Sequence, residues 1–113
     1  MKASLLYGIG DVRYEIVDIP KISSNEVLVK VKNVGICGSD LPRSMVSGLS
    51  GGAKYPIILG HEFSGEISGV GSDVKNIQIG DRVAVAPLVP CGKCIYCKSG
   101  DYGLCTCLLY TSL

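Results

Sequence analysis

The sequence predicts a mainly β domain, a small and partly open β-barrel from which a zinc-binding cysteine lobe projects. Three observations predict it. Short apolar runs are punctuated by turn residues, with 15 glycines among 113 residues, a pattern of short strands and tight turns rather than long helices. Several runs alternate apolar and polar residues with a period of two, as half-buried strands do. Four cysteines, Cys91, Cys94, Cys97 and Cys105, are gathered into one short stretch near the C-terminal end.

Taken in order, residues 2–7 read as a first strand, Gly8-Ile9-Gly10-Asp11 as a turn, and Val12 to Ile19 as the returning strand of a hairpin. Gly8-x-Gly10 is no dinucleotide fingerprint, because Arg13 stands where the third glycine belongs and no helical pattern follows. Pro20 ends the second strand. Glu26 to Val34 is the clearest strand, with Val27, Val29 and Val31 alternating with Leu28, Lys30 and Lys32. It runs out at Gly35-Ile36-Cys37-Gly38-Ser39-Asp40, where Asp40 is placed to cap a short helix from Leu41 to Val46. Ser47 to Ala53 is a polar, Gly-rich loop. Phe63, Gly65, Ile67 and Gly69 form a strand thinned by glycines, which implies close backbone packing or bulges. Val70 to Asp73 is a turn, and Arg82 to Leu88 reads as a buried strand.

The four cysteines stand at successive offsets of three, three and eight. A tetrad of thiolates binds zinc tetrahedrally and leaves no open position, so such a zinc is structural. Gly92 permits the turn that aims the sulfurs at one point. Paired disulfides would need an oxidising compartment, and no secretory signal precedes them. A redox Cys-x-x-Cys would need neither the third cysteine nor this spacing. A second constellation consists of Cys37, His61 and Glu62, each at a glycine-bounded strand end. Thiolate, imidazole and carboxylate would leave a fourth position on zinc for water or substrate, as in a catalytic site. A free buried cysteine, a satisfied core histidine and a surface glutamate are the alternative reading.

Bulk properties narrow the function. A net charge of +1 argues against nucleic-acid binding. One Phe and no Trp leave no stacking platform for bases. No apolar stretch approaches the ~20 residues of a membrane helix. Reduced thiols free for metal suit the cytoplasm.

Gly60-His61-Glu62-Phe63-Ser64-Gly65 with Gly69 and Gly71, Gly35-Ile36-Cys37-Gly38-Ser39-Asp40, Gly80-Asp81-Arg82-Val83 and the cysteine tetrad together resemble the zinc-dependent medium-chain alcohol and polyol dehydrogenases. The resemblance covers Met1 to about Cys105 and implies the GroES-like catalytic domain of that family. Cys37-Gly38-Ser39-Asp40-Leu41-Pro42-Arg43 and Pro87-Leu88-Val89-Pro90-Cys91 are similar to its galactitol-1-phosphate branch, while the sorbitol, threonine and butanediol branches share most of the features. The resemblance implies that Cys37 and His61 ligate a catalytic zinc, with Glu62 ligating directly or exchanging with water. It implies that Ser39 takes the proton of the substrate alcohol and that Asp40 orients His61. Zinc supplies Lewis acidity, and NAD accepts the hydride. Arg43 reads either as a contact to a substrate phosphate or as a surface charge.

The family's second half, a Rossmann domain with Gly-x-Gly-x-x-Gly, is absent from this sequence. The resemblance therefore implies the front part of a polyol or polyol phosphate dehydrogenase, truncated before the Rossmann domain, inactive by itself and homo-oligomeric at full length. Residues 106–113, with the supernumerary Cys107, depart from the family's pattern and read as an atypical, non-native tail. Two other readings compete: a stand-alone zinc module for protein interaction, and a barrel that has lost catalysis.

Overall fold

A computed structural model describes residues 1–49 and 54–107 and the backbone of residues 109–110. Among the described residues, eight strands and two short helices follow one another as β1 (Lys2–Gly8), β2 (Asp11–Ile16), β3 (Val27–Gly35), α1 (Asp40–Met45), β4 (Ile57–Ile58), β5 (Glu62–Val70), β6 (Arg82–Val85), β7 (Leu88–Val89), α2 (Ile95–Ser99), a 3-10 turn (Tyr102–Leu104) and β8 (Leu109–Tyr110). The predicted Gly-rich loop lies partly outside the described residues, which omit 50–53, and most of the predicted tail does too.

The strands form an antiparallel sheet β2-β1-β4, an antiparallel sheet β3-β5-β6, and the two-stranded β7-β8. The mainly β expectation is met, and the barrel is open between these sheets. The most enclosed side chains, Leu6 and Ile67, sit on the central strands β1 and β5. A central strand is flanked on both edges, so its inward side chains lose the most water. Leu5 and Leu6 are both buried although adjacent, which shows that β1 has cover on both faces.

The hairpin forms where the alternation predicts it, although β2 stops at Ile16, three residues before the predicted end. Its turn is fixed to α1 by the Gly10 N–H, which donates to the Ser44 carbonyl at 2.7 Å. Arg13 forks onto Asp11 at 2.8 and 2.9 Å, and its guanidinium lies 4.3 Å from the centre of the Tyr7 ring. Tyr7 donates its hydroxyl to Glu15 at 3.0 Å.

β3 and β5 pair along their whole length, from Val27 opposite Val70 to Gly35 opposite Glu62. The close packing predicted at the glycines is present: a Cβ on Gly65 would stand 2.4 Å from the Lys30 carbonyl oxygen. The register shifts at Leu28/Val29 and again at Val31/Asn33. The strict alternation of cover expected for β3 is not kept: Val27, Leu28 and Val29 are all half-buried, and Val31 is 51% exposed. The buried strand expected from Arg82 to Leu88 is corrected in two ways. It ends at Val85, and only Val83 and Val85 are half-buried while Arg82 and Ala84 are exposed. β6 pairs antiparallel with β5, and an antiparallel sheet commonly has one face packed and the other in water, which matches this alternation.

Candidate functional site

The β3–β5 pairing builds the first ligand cluster. Gly35 at the end of β3 lies opposite Glu62 at the start of β5. The chain beyond Gly35 and the chain before Glu62 therefore emerge side by side, carrying Cys37 and His61. Gly60, at a φ of +110°, adopts a backbone open to glycine, and it turns the chain so that His61 is buried while Glu62 is exposed. Ligand atoms of Cys37, His61 and Glu62 all lie within 4.8 Å of one another, so the structure brings the three predicted residues together.

Asp40 is the first residue of α1 rather than its cap. Ser39 holds the cap position, and its side chain makes no capping hydrogen bond. The predicted capping role of Asp40 is therefore corrected, because its carboxylate faces back toward Cys37. Oδ2 accepts the Cys37 N–H at 3.0 Å, and the Asp40 N–H donates to the Cys37 carbonyl at 3.0 Å. These two bonds tie Cys37 to the head of the helix. Oδ1 lies 3.6 Å from His61 Nδ1, and both residues are 8% exposed. That distance is an electrostatic contact rather than a hydrogen bond, and it leaves Nε2 as the ring's other nitrogen.

Two buried polar atoms in this cluster have no hydrogen-bond partner among the described residues, Ser39 Oγ and Asp40 Oδ1. Burying such groups unpaired costs about 1–3 kcal/mol each. They suit a site that is completed by a bound metal and an alcohol: a hydroxyl can donate and accept at once, and a carboxylate steadies an imidazole whose far nitrogen binds an ion. Cys, His and Glu are also ordinary zinc donors. The residues present therefore fit a zinc ion with an open position.

The second cluster is built within one loop. Gly92, at a φ of +71°, turns the chain between Cys91 and Cys94, and α2 begins at Ile95 and places Cys97 on its first turn. The Cys94–Cys97 and Cys91–Cys97 sulfurs are 3.6 and 3.9 Å apart, and all four sulfurs lie within 4.8 Å of one another. A disulfide would hold its sulfurs at about 2.05 Å, and all four cysteines are free. Sulfurs bound tetrahedrally at ~2.3 Å from zinc are separated by ~3.8 Å, so the tetrad fits a closed zinc site.

Backbone amides tune these thiols. Amides of Cys97 and Thr106 hold the Cys94 thiol down to about 6. The amide of Lys93, then that of Cys94, lowers Cys91. Burial pushes the Cys97 thiol up to about 12. Sequence reasoning missed the amide of Thr106, since a backbone donor has no residue signature. Cys107, two residues beyond Cys105, is exposed and stands outside the tetrad.

Among the described residues no helix is long and apolar enough to cross a membrane. Comparison with known proteins agrees with the geometry. A family model described as the alcohol dehydrogenase GroES-like domain matches residues 23–112. Sorbitol dehydrogenase of Bacillus subtilis is 48% identical over 107 residues, which are 93% of this chain and 30% of that protein. The crystal structure of galactitol-1-phosphate dehydrogenase from Escherichia coli aligns with a TM-score of 0.86 at 43% identity, covering 99% of this chain and 32% of that one. A short chain alcohol dehydrogenase from E. coli CFT073, complexed with cofactor NADH, aligns with a TM-score of 0.78 at 41% identity, covering 100% of this chain and 32% of that one. The chain thus spans about a third of the length of the relatives it matches. With the fold, both ligand clusters and the family model in agreement, the chain belongs to the family of alcohol dehydrogenase GroES-like domains.

Proposed function

We propose that this domain is the zinc-carrying catalytic part of an oxidoreductase. That enzyme oxidises a secondary alcohol of a polyol or polyol phosphate and passes the hydride to NAD or NADP. The observation that carries the reading is the meeting of Cys37, His61 and Glu62, with the buried hydroxyl of Ser39, two residues from Cys37, having no hydrogen-bond partner among the described residues. The similarity to a sorbitol dehydrogenase and to a galactitol-1-phosphate dehydrogenase supports the polyol class.

In this reading Cys37, His61 and Glu62 hold a catalytic zinc, and Cys91, Cys94, Cys97 and Cys105 hold a structural one. A zinc held by three side chains supplies Lewis acidity at its open position. Ser39 accepts the hydroxyl proton of the substrate and passes it outward. Asp40 keeps the His61 ring oriented and holds the Cys37 loop through its backbone. The nicotinamide cofactor binds to another part of the enzyme. Residues 1–105 form the catalytic-domain portion and 106–113 an atypical tail, although the family model's match runs on to residue 112. The enzyme is cytoplasmic and homo-oligomeric, with no nucleic-acid or membrane partner.

Metal analysis of the purified, reduced chain tests the reading. About two zinc ions per chain are expected, one lost on Cys37→Ser and the other on Cys94→Ser. In a polypeptide of the relatives' full length, Ser39→Ala should lower kcat for polyol oxidation about 100-fold. Zinc bound only at the cysteine tetrad, with full activity in the Ser39 variant, would sink the proposal.

A further inference from the structure

We infer that Arg43 determines specificity by holding a phosphate monoester on the substrate, so that the domain prefers a phosphorylated polyol to the neutral one. The inference rests on the dehydrogenase reading above and narrows its substrate class.

The argument starts from the faces of α1. Asp40 is buried and Arg43 and Ser44 are half-buried, whereas Leu41, Pro42 and Met45 are exposed. The covered residues are spaced i, i+3 and i+4, which places them on one side of the helix, with neighbouring Cβ atoms roughly 5–6 Å apart. Arg43 therefore shares its face with the residue whose carboxylate lies 3.6 Å from His61.

Arg43 is also chemically incomplete. Among the described residues it makes no ion pair and no hydrogen bond. The nearby carboxylate of Asp40 is turned to the Cys37 amide and the His61 ring instead. Arg13 shows the contrast, with its fork filled by Asp11, and Arg82 is exposed, where water serves it. A half-buried guanidinium offers five N–H donors and cannot be neutralised by losing a proton. Its planar fork matches two oxygens of a phosphate. A polyol phosphate supplies what both ends of the site lack: a hydroxyl for Ser39 Oγ and a dianion for Arg43.

The test titrates the full 113-residue chain, zinc-supplemented and isotopically labelled, with galactitol 1-phosphate, galactitol and inorganic phosphate. Backbone amide and arginine side-chain resonances report binding. Galactitol 1-phosphate should bind at least ~10-fold more tightly than galactitol or inorganic phosphate, since a site built for a polar group discriminates against ligands that lack it. Its shifts should centre on residues 39–44. Arg43→Gln should abolish the advantage and Arg43→Lys retain part of it, with zinc content and the galactitol response unchanged. Equal binding of the two polyols, an advantage that survives in Arg43→Gln, or no binding of any probe would overturn the inference. So would inorganic phosphate binding as tightly as the polyol phosphate, which marks a general anion site. Failure of the underlying reading looks different: the zinc equivalent that depends on Cys37 would be missing from the unsubstituted chain.

Discussion

The cysteine lobe and the Cys37–His61–Glu62 cluster both gather metal donors within 4.8 Å, but the chain assembles them by different means. In the lobe one glycine turn and one short helix bring four sulfurs together from a single loop. The other cluster joins residues on either side of a long excursion, and what joins them is the β3–β5 ladder ending with Gly35 opposite Glu62. Backbone amides within the lobe lower Cys91 and Cys94. At the second cluster a carboxylate from the helix head reaches back to the Cys37 amide and toward His61. A loop-built site therefore carries its own scaffold, whereas a ladder-built site depends on the packing of two strands.

The largest expected effect separates the two. Cys97→Ser removes a buried ligand from the lobe and should cost its zinc outright, because binding free energy of a structural zinc is folding free energy, about 10–16 kcal/mol in small zinc domains. Elemental analysis should show loss of one zinc while the one that depends on Cys37 stays. Loss of both would erase the distinction drawn above.

Gly65→Val probes the ladder. The new side chain would start 2.4 Å from the Lys30 carbonyl oxygen, and forcing the strands apart should destabilise the domain by about 3 kcal/mol. Chemical denaturation should report this as a lower midpoint. Zinc retention at Cys37 and His61 should weaken while the lobe keeps its metal. Equal weakening at both sites would show that the lobe also leans on the sheet.

Asp40→Asn is more local. It keeps a hydrogen-bond acceptor for the Cys37 amide and removes the charge beside His61. Zinc affinity at that cluster should fall roughly 10–100-fold, measured by competition with a chelator. Removal of residues 108–113 should leave the lobe's zinc in place, since the Thr106 amide that faces Cys94 remains. Metal analysis of the shortened chain checks this.

The smallest effect belongs to the hairpin. The Arg13 guanidinium holds the Asp11 carboxyl below its ordinary value of 3.8. A carboxyl lowered on folding adds stability that is present above 3.8 and is lost as pH falls through the lowered value. Both partners are exposed, with side chains 54% and 43% accessible, so the gain is slight. Asp11→Asn should leave thermal stability at pH 7 nearly unchanged and flatten only the acid end of the profile.

By itself the sequence determined the hairpin, the strand from Val27, the closely packed glycines of β5 and which residues gather into the two clusters of candidate donors. The reason is that these rest on local features: period-two alternation, turn glycines and cysteine spacing. Three things were decided only by the tertiary structure. The register of β3 on β5, with its shifts at Leu28/Val29 and Val31/Asn33, is a property of two strands together and is not written in either one. The one-sided cover of β6 depends on what packs against each face of its sheet, which no strand carries in its own residues. The approach of Asp40 to His61, and the burial of a Ser39 hydroxyl with no hydrogen-bond partner among the described residues, came from docking a helix head against a strand end. Spacing along a chain names candidate donors, but distant donors meet only when backbone pairing between their strands closes the gap.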